Sequence, residues 1–321
     1  MRGKVVVGWI ALAMLILASL SPATLVAAAT SGSSSGSATV GNVAPTISSP
    51  QLTDTSSNSV AGSQIDVNVE YWVAFTVSDD NSLEDIDTIV IKIWGPSSTE
   101  GGSDSEVNHY TFQYDQASDA WSEIGPDTGG SHLVLADCQD PSDQTQSSGT
   151  FRLAFKLAKI AERTTTATWT IKITVSDDSS ASASDSSLTF GVNFYAELTV
   201  NDGSHGWSGL NPGATDVALT NPSDGDIDVT VTTNAAFNLQ AKGSGDLTSG
   251  SNMIPLSNVK IHASTLTSAV SLTTTYQNIP GLTSQPAGAN QAKAFKLWIT
   301  VPNPCPAGTY TYTLYVQVVE A

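Results

Sequence analysis

Cysteine is nearly absent from this chain, and histidine and positive charge are scarce: 321 residues hold two Cys, four His and 12 Lys and Arg. Two cysteines exclude a small disulfide-stapled scaffold and a four-thiolate zinc site. His109, His132, His205 and His262 form neither an H-E-x-x-H run nor any i, i+4 pair, so no metalloprotease-type helix is encoded. The few bases stand against 30 Asp and Glu, and the net charge of −18 makes nucleic acid and anionic lipid poor partners. No Asn-x-Ser/Thr sequon occurs with a residue other than proline in the middle, so N-glycosylation is not expected. Beyond residue 20 there is no long apolar run, which excludes a second membrane-spanning helix.

What the chain does have, first, is a leader. Arg2 and Lys4 precede an apolar run over residues 5–20, and small residues follow, ending in Ala27, Ala28 and Ala29. That is the pattern of a secretory signal peptide over residues 1–29, cut near Ala29. An uncleaved anchor and a pilin-type leader cut after Gly3 are the alternatives. Cleavage near Ala29 removes two bases and no acid, because Asp54 is the first acidic residue, so the mature chain is more acidic still and is expected to carry no membrane span. Residues 30–42 are Ser/Gly-rich with no apolar period, a flexible tether. The run Gly32-Ser33-Ser34-Ser35-Gly36 matches a G-x-S-x-G elbow on paper, but that nucleophile needs a strand before it and a helix after it, and neither pattern is present.

From Pro45 onward apolar residues recur with period two, the spacing that puts successive side chains on opposite faces of a strand. Val67, Val69, Tyr71, Val73, Phe75 and Val77 share one face. So do Ile89, Ile91 and Ile93; Tyr110, Phe112 and Tyr114; Phe151, Leu153, Phe155 and Leu157; Trp169, Ile171, Ile173 and Val175; and Leu188, Phe190 and Val192. Only "FKLAKIAER" offers a helical alternative. The alternation continues past residue 193 through "DVALTN", "DIDVTVTT", "AFNLQAKG", "NVKIHAS", "AFKLWITVP" and "GTYTYTLYVQVVEA", with "NPSDGD" as a tight turn. The expected fold is all-β: two tandem antiparallel sandwiches, residues 43–192 and 193–321, joined without a flexible linker.

The first unit says VSDD twice, at residues 77–80 and 175–178, each time at the end of an apolar strand. Strand "VEYWVAFTV", acidic turn "SDDNSLEDID", strand "TIVIKIWG", and later "ATWTIKITV", "SDDSSASASD" and "SLTFGV" resemble the Ig-like, PKD-like and cadherin-like modules of microbial, especially archaeal, surface proteins. The ending "VPNPCPAGTYTYTLYVQV", through Pro306, Gly308 and Tyr310, is similar to the last hairpin of secreted fimbrial and spore-coat-like sandwich subunits. The first resemblance implies that the two VSDD turns emerge at the same end of one sandwich. It also implies a secreted, noncatalytic surface protein, structural or adhesive. A filament subunit assembling by strand complementation through "ATVGNVAPTISSPQL" is the alternative, and a glycan- or calcium-binding module is another.

Converging acidic turns point to Ca²⁺, a hard cation taking 6 to 8 oxygens. The candidate ligands are Asp79, Asp80, Asp85, Asp87, Asp177 and Asp178, with Asn81, Glu84 and Asp185 near them; the competing reading is a pair of self-bonded Asx turns. No other cofactor is expected, and no convergent acid, base and nucleophile set is visible. Partners are other surface proteins or copies of the same chain, or a glycan stacked on Trp94, Trp121, Trp207 or Trp298, of which Trp94 and Trp298 fall opposite their strands' apolar stripes. Cys138 and Cys305 either form a bridge between the two units or remain free thiols.

Overall fold

The computed structural model describes residues 33–125 and 132–321. The leader expected over residues 1–29 and the start of the tether lie outside the described residues. Residues 33–41 are exposed and carry no strand, and residues 42–321 form one compact unit. No helix among the described residues is long and apolar enough to cross a membrane.

The fold is all-β and built from antiparallel sheets. Nine strands make the first part: β1 (Thr46–Asp54), β2 (Gln64–Ile65), β3 (Glu70–Ser78), β4 (Ile86–Trp94), β5 (His109–Asp115), β6 (Ala120–Gly125), β7 (Ser148–Lys156), β8 (Trp169–Asp177) and β9 (Ser182–Val192). They form a three-stranded sheet, β1-β3-β7, and a six-stranded sheet, β2-β9-β8-β4-β5-β6, in which only β2 and β9 run parallel. The period-two pattern is the cause: β3 and β8 bury alternate residues, and their apolar faces can leave water only against another sheet. The two sheets enclose one core, with Phe112 of β5 and Phe155 of β7 6.2 Å apart and Tyr114 edge-on to Phe151 at 5.3 Å. Each such buried side chain contributes about 1.5–3 kcal/mol.

Eleven strands follow, most of them short: β10 (Ala196–Val200), β11 (Val217–Ala218), β12 (Ile227–Thr233), β13 (Phe237–Gly243), β14 (Leu247–Ser249), β15 (Asn252–Ile254), β16 (Val259–His262), β17 (Val270–Ser271), β18 (Gln277–Asn278), β19 (Gly288–Ile299) and β20 (Leu314–Glu320). Their sheets are β10-β12-β19-β16-β17, with β11 also on β19, and β18-β13-β20, beside the hairpin β14-β15. A second core separates these sheets, formed by Val229, Val231, Leu239, Ile261, Phe295 and Leu297 among others.

Three residues, 193–195, lie between β9 and β10. Asn193 N–H donates to the Ile65 carbonyl, and its side chain donates to Asp66 at 2.7 Å. Asn234, 3 % exposed, accepts from Tyr195 N–H and donates to the Asn193 carbonyl. Lys159 meets Glu197 at 2.6 Å, and Arg163 Nε approaches Glu320 to 2.8 Å off the hydrogen-bonding direction.

One expectation is corrected, and three alternatives left open by the sequence are decided. Val69 is exposed: Asn68 at φ 56 interrupts the extended chain just before β3, so the alternation begins at Tyr71. "FKLAKIAER" forms the end of β7 and an irregular segment, because Phe155 and Leu157 are needed in the core. Cys138 and Cys305 are free thiols, each packed against a different core. Trp298 is not on an open face; it is buried.

Candidate metal centre

Period two separates the two aspartates of each VSDD string. In β3 the inward positions are Tyr71, Val73, Phe75 and Val77, and two residues further the same parity reaches Asp79, 2 % exposed. In β8 they are Trp169, Ile171, Ile173 and Val175, and the next is Asp177, also 2 % exposed. Asp80 and Asp178 have the opposite parity and lie in solvent. Each strand thus ends with a carboxylate buried where an apolar side chain would continue the core.

The third member comes from the loop. Leu83, 1 % exposed, anchors a single 3-10 turn, Leu83–Asp85, and Ser82 before it sits at φ 113, a costly conformation for a residue with a side chain. Asp85 donates its N–H to Ser82, and its carbonyl accepts the Asp178 N–H at 2.9 Å. Ile86 stands opposite Asp177 in the β4–β8 register. Carboxylate oxygens of Asp79, Asp85 and Asp177 consequently all lie within 4.8 Å of one another.

Part of this cluster has partners. Asp79 Oδ1 accepts from Asn81 N–H at 2.8 Å; Asp177 Oδ1 accepts from Ser179 N–H and Ala181 N–H, and its Oδ2 from the Asn42 side-chain amide at 2.9 Å. Asn81 in turn accepts the Val43 N–H at 2.7 Å. Asp79 Oδ2 and Asp85 Oδ2, however, are sealed from solvent with no hydrogen-bond donor. Burial first, and then the charges of Asp79, Asp177 and Asp178, push the Asp85 carboxyl above its ordinary pKa. Two like charges 4 Å apart repel by about 4 kcal/mol near a protein surface, so three carboxylates here call for a proton or a cation. The donor set is all oxygen, which suits Ca²⁺ or Mg²⁺ and not Zn²⁺. Carboxylate oxygens this close can converge on one ion, and Ca²⁺ takes oxygen ligands at about 2.3–2.6 Å.

Of the residues expected from the sequence, the fold gathers Asp79, Asp85 and Asp177. Asp80, Asp87 and Asp178 stay outside the triad with exposed side chains, as does Glu84, and Asp185 bonds locally to Ser187. Parity would have sorted Asp79 from Asp80 and Asp177 from Asp178; nothing local marked Asp85. Sequence reasoning also missed Asn42, which joins the site from before the first strand.

The histidines do not converge. His109 pairs with Asp104 at 2.8 Å, and His132 pairs with Glu123 at 2.8 Å beside the Tyr110 ring, both buried. His205 bonds Tyr312 at 2.9 Å in the second part, where both line a cavity of about 610 Å³ together with Trp207 and Cys305. Trp121 is buried against Tyr114, and Trp94 is half-buried.

No family model matches the chain, and no curated protein does. Among solved structures, the C-terminal domain of the Streptococcus agalactiae AgI/II polypeptide BspA is 11% identical, with a TM-score of 0.25 over 85% of this chain and 95% of that one. The C-terminal domain of the Streptococcus pyogenes antigen I/II-family protein AspA is 13% identical, with a TM-score of 0.26 over 86% and 96%. Likeness at those scores bears neither on the fold nor on the function of this chain.

Proposed function

We propose that this chain is a secreted, noncatalytic surface protein, structural or adhesive, whose first sandwich is locked at one end by Ca²⁺. The observation that carries the proposal is the pair of sealed, donorless oxygens on Asp79 and Asp85 within reach of Asp177. Such an arrangement is costly in a protein without the ion and becomes favourable with it, since metal binding free energy is then folding free energy. Millimolar calcium outside the cell suits a site of this modest charge count. The leader over residues 1–29 and the acidic, Ser/Thr-rich surface support export. The strand order β2-β9-β8-β4-β5-β6 facing β1-β3-β7 supports an Ig-like reading, because a variable-type Ig sandwich extends its GFC sheet with two further strands in the same way. The acid cluster includes no histidine or cysteine, and Asp79 and Asp177 are tied down by backbone N–H groups, which supports a holding role over a catalytic one.

The filament alternative requires the first segment to leave its own sheet. Here Thr46–Asp54 pairs with β3 of the same chain along almost its whole length, which favours a self-sufficient module. Thermal melts of the exported chain in EDTA, millimolar Mg²⁺ and millimolar Ca²⁺ test the lock. Calcium at a hundred times its dissociation constant is expected to stabilise the fold by about 2.7 kcal/mol, a rise of a few degrees. Identical melting in EDTA and Ca²⁺ sinks it.

A further inference from the structure

The outer face of the sheet β18-β13-β20 differs from the rest of this acidic molecule. Its outward positions carry Asn238, Gln240 and Lys242 on β13 and Tyr315, Gln317 and Val319 on β20, alternating with Leu239, Ala241, Val316 and Val318 turned to the core. None of these outward residues is acidic. Among the described residues, Tyr276 and Tyr315 are the exposed aromatic side chains, at 36 % and 44 %, and both flank the same lysine. Lys242 Nζ lies 4.5 Å from the Tyr276 ring centre and 5.4 Å from that of Tyr315. Cross-strand register places Lys242 opposite Tyr315, and β18 brings the residue before it, Tyr276, to the other side.

Lys242 makes no ion pair, which it shares with Lys92, Arg152, Lys156 and Lys293 among the described residues; of these, Lys92 and Arg152 donate to backbone carbonyls and Lys293 to the Gln285 side chain. Lys159, Arg163, Lys172, Lys260 and Lys296 each meet a carboxylate, as expected where acids outnumber bases so heavily. Around Lys242 two tyrosine faces hold the ammonium instead, a weak interaction at an exposed site that leaves its charge available. Beside it runs an amide ladder, Gln317 donating to Gln240 at 2.7 Å and Gln240 donating to Asn278 at 2.9 Å, which keeps the Asn278 NH₂ and the Gln317 carbonyl at its two ends.

We infer that this face binds a glycan containing a carboxylated sugar, with pyranose rings laid on Tyr276 and Tyr315, the carboxylate at Lys242 and hydroxyls at the ends of the amide ladder. Each part of the ligand meets its complement: the apolar C–H face of a sugar meets an aromatic face, its hydroxyls meet an amide donor and acceptor, and its charge meets the lysine that stands between the two tyrosines. The negative charge of the whole protein opposes approach at long range, but at physiological ionic strength it is screened beyond about 8 Å, so the local cation decides. The inference rests on the adhesive side of the proposed function and names its partner; it is independent of the calcium lock.

The test is calorimetric titration of the exported chain with a galacturonate hexamer and, separately, with maltohexaose. Saturable binding of the galacturonate hexamer, weakened by added salt, is expected, with the neutral hexamer at least about tenfold weaker. Tyr315→Ala is expected to weaken binding by about tenfold or more, and Lys242→Gln to erase the preference for the acidic hexamer. Both positions are on the surface, and an unchanged melting temperature verifies folding of each variant. Absence of binding, equal binding of the two hexamers, or binding indifferent to both substitutions overturns the inference. If that happens while calcium still raises the melting temperature, the glycan inference alone has failed.

Discussion

The two halves of the molecule solve the same packing problem differently. In the first, strands of nine residues recur and the largest fully buried side chains are mostly aromatic, Trp169, Tyr110, Tyr114, Phe75, Phe112, Phe151, Phe155 and Phe190. In the second, many strands have two to five residues and only Phe237 and Phe295 reach that list. A long regular strand carries its inward parity past the end of the core, so a polar residue placed there is buried whether or not it is satisfied; Asp79 and Asp177 are the result. Most strands of the second half are too short for that, and its one long strand, β19, carries the inward parity of Phe295, Leu297 and Ile299 on to the apolar Val301. The second half keeps its distinctive chemistry on an outer face, where Lys242 and two tyrosines remain wet.

If the halves are separate cores, they should fail separately. Trp169→Ala and Phe295→Ala are each expected to cost about 3–5 kcal/mol. Scanning calorimetry should show the first lowering one transition and the second lowering another. A single transition moved equally by both would mean that the bonds through Asn193 and Asn234 fuse the two into one cooperative unit.

The next effect sharpens the contrast at the acidic end. Asp79→Asn keeps an acceptor for the Asn81 N–H and removes one of the three facing charges. In EDTA the variant should be at least as stable as the parent, because repulsion is relieved, whereas the calcium gain of about 2.7 kcal/mol should vanish. A variant less stable than the parent in EDTA, with its calcium response intact, would place the ion elsewhere.

The smallest effect belongs to the second half. Burial holds the His205 imidazole below its usual pKa, so the unfolded chain takes up a proton more readily than the folded one. The stability associated with neutral His205 is fully present above about pH 6.5 and is lost as the pH falls through that value toward the folded pKa. Denaturant melts between pH 7 and pH 5 should show the second transition weakening and His205→Gln weakening less. Equal slopes for the two proteins would remove the assignment.

Much of the first half was legible in the sequence, because alternation over nine residues is a strong local signal. The stretches around Val73, Ile91, Phe112, Leu153, Ile173 and Phe190 all form strands. Of "DVALTN" only Val217–Ala218 forms a strand, and of "GTYTYTLYVQVVEA" only Leu314–Glu320. The hairpin Leu247–Ile254 gave no warning, since three-residue strands are too short to show a period. Tyr310 and Tyr312, though they alternate like a strand, line a cavity beside Trp207.

The sequence by itself determined the all-β character, the strands of the first core, and the inward parity of Asp79 and Asp177, because a period of two is written in consecutive residues. Only tertiary structure decided that Asp85 joins them, through the pairing of Ile86 with Asp177, and that Asn42 closes on Asp177 across 135 positions. Tertiary structure likewise set Tyr276 and Tyr315 on either side of Lys242, through the order β18-β13-β20. Which strands become neighbours is settled by how whole sheets bury their apolar faces, and that is a property of the packed chain that no local pattern records.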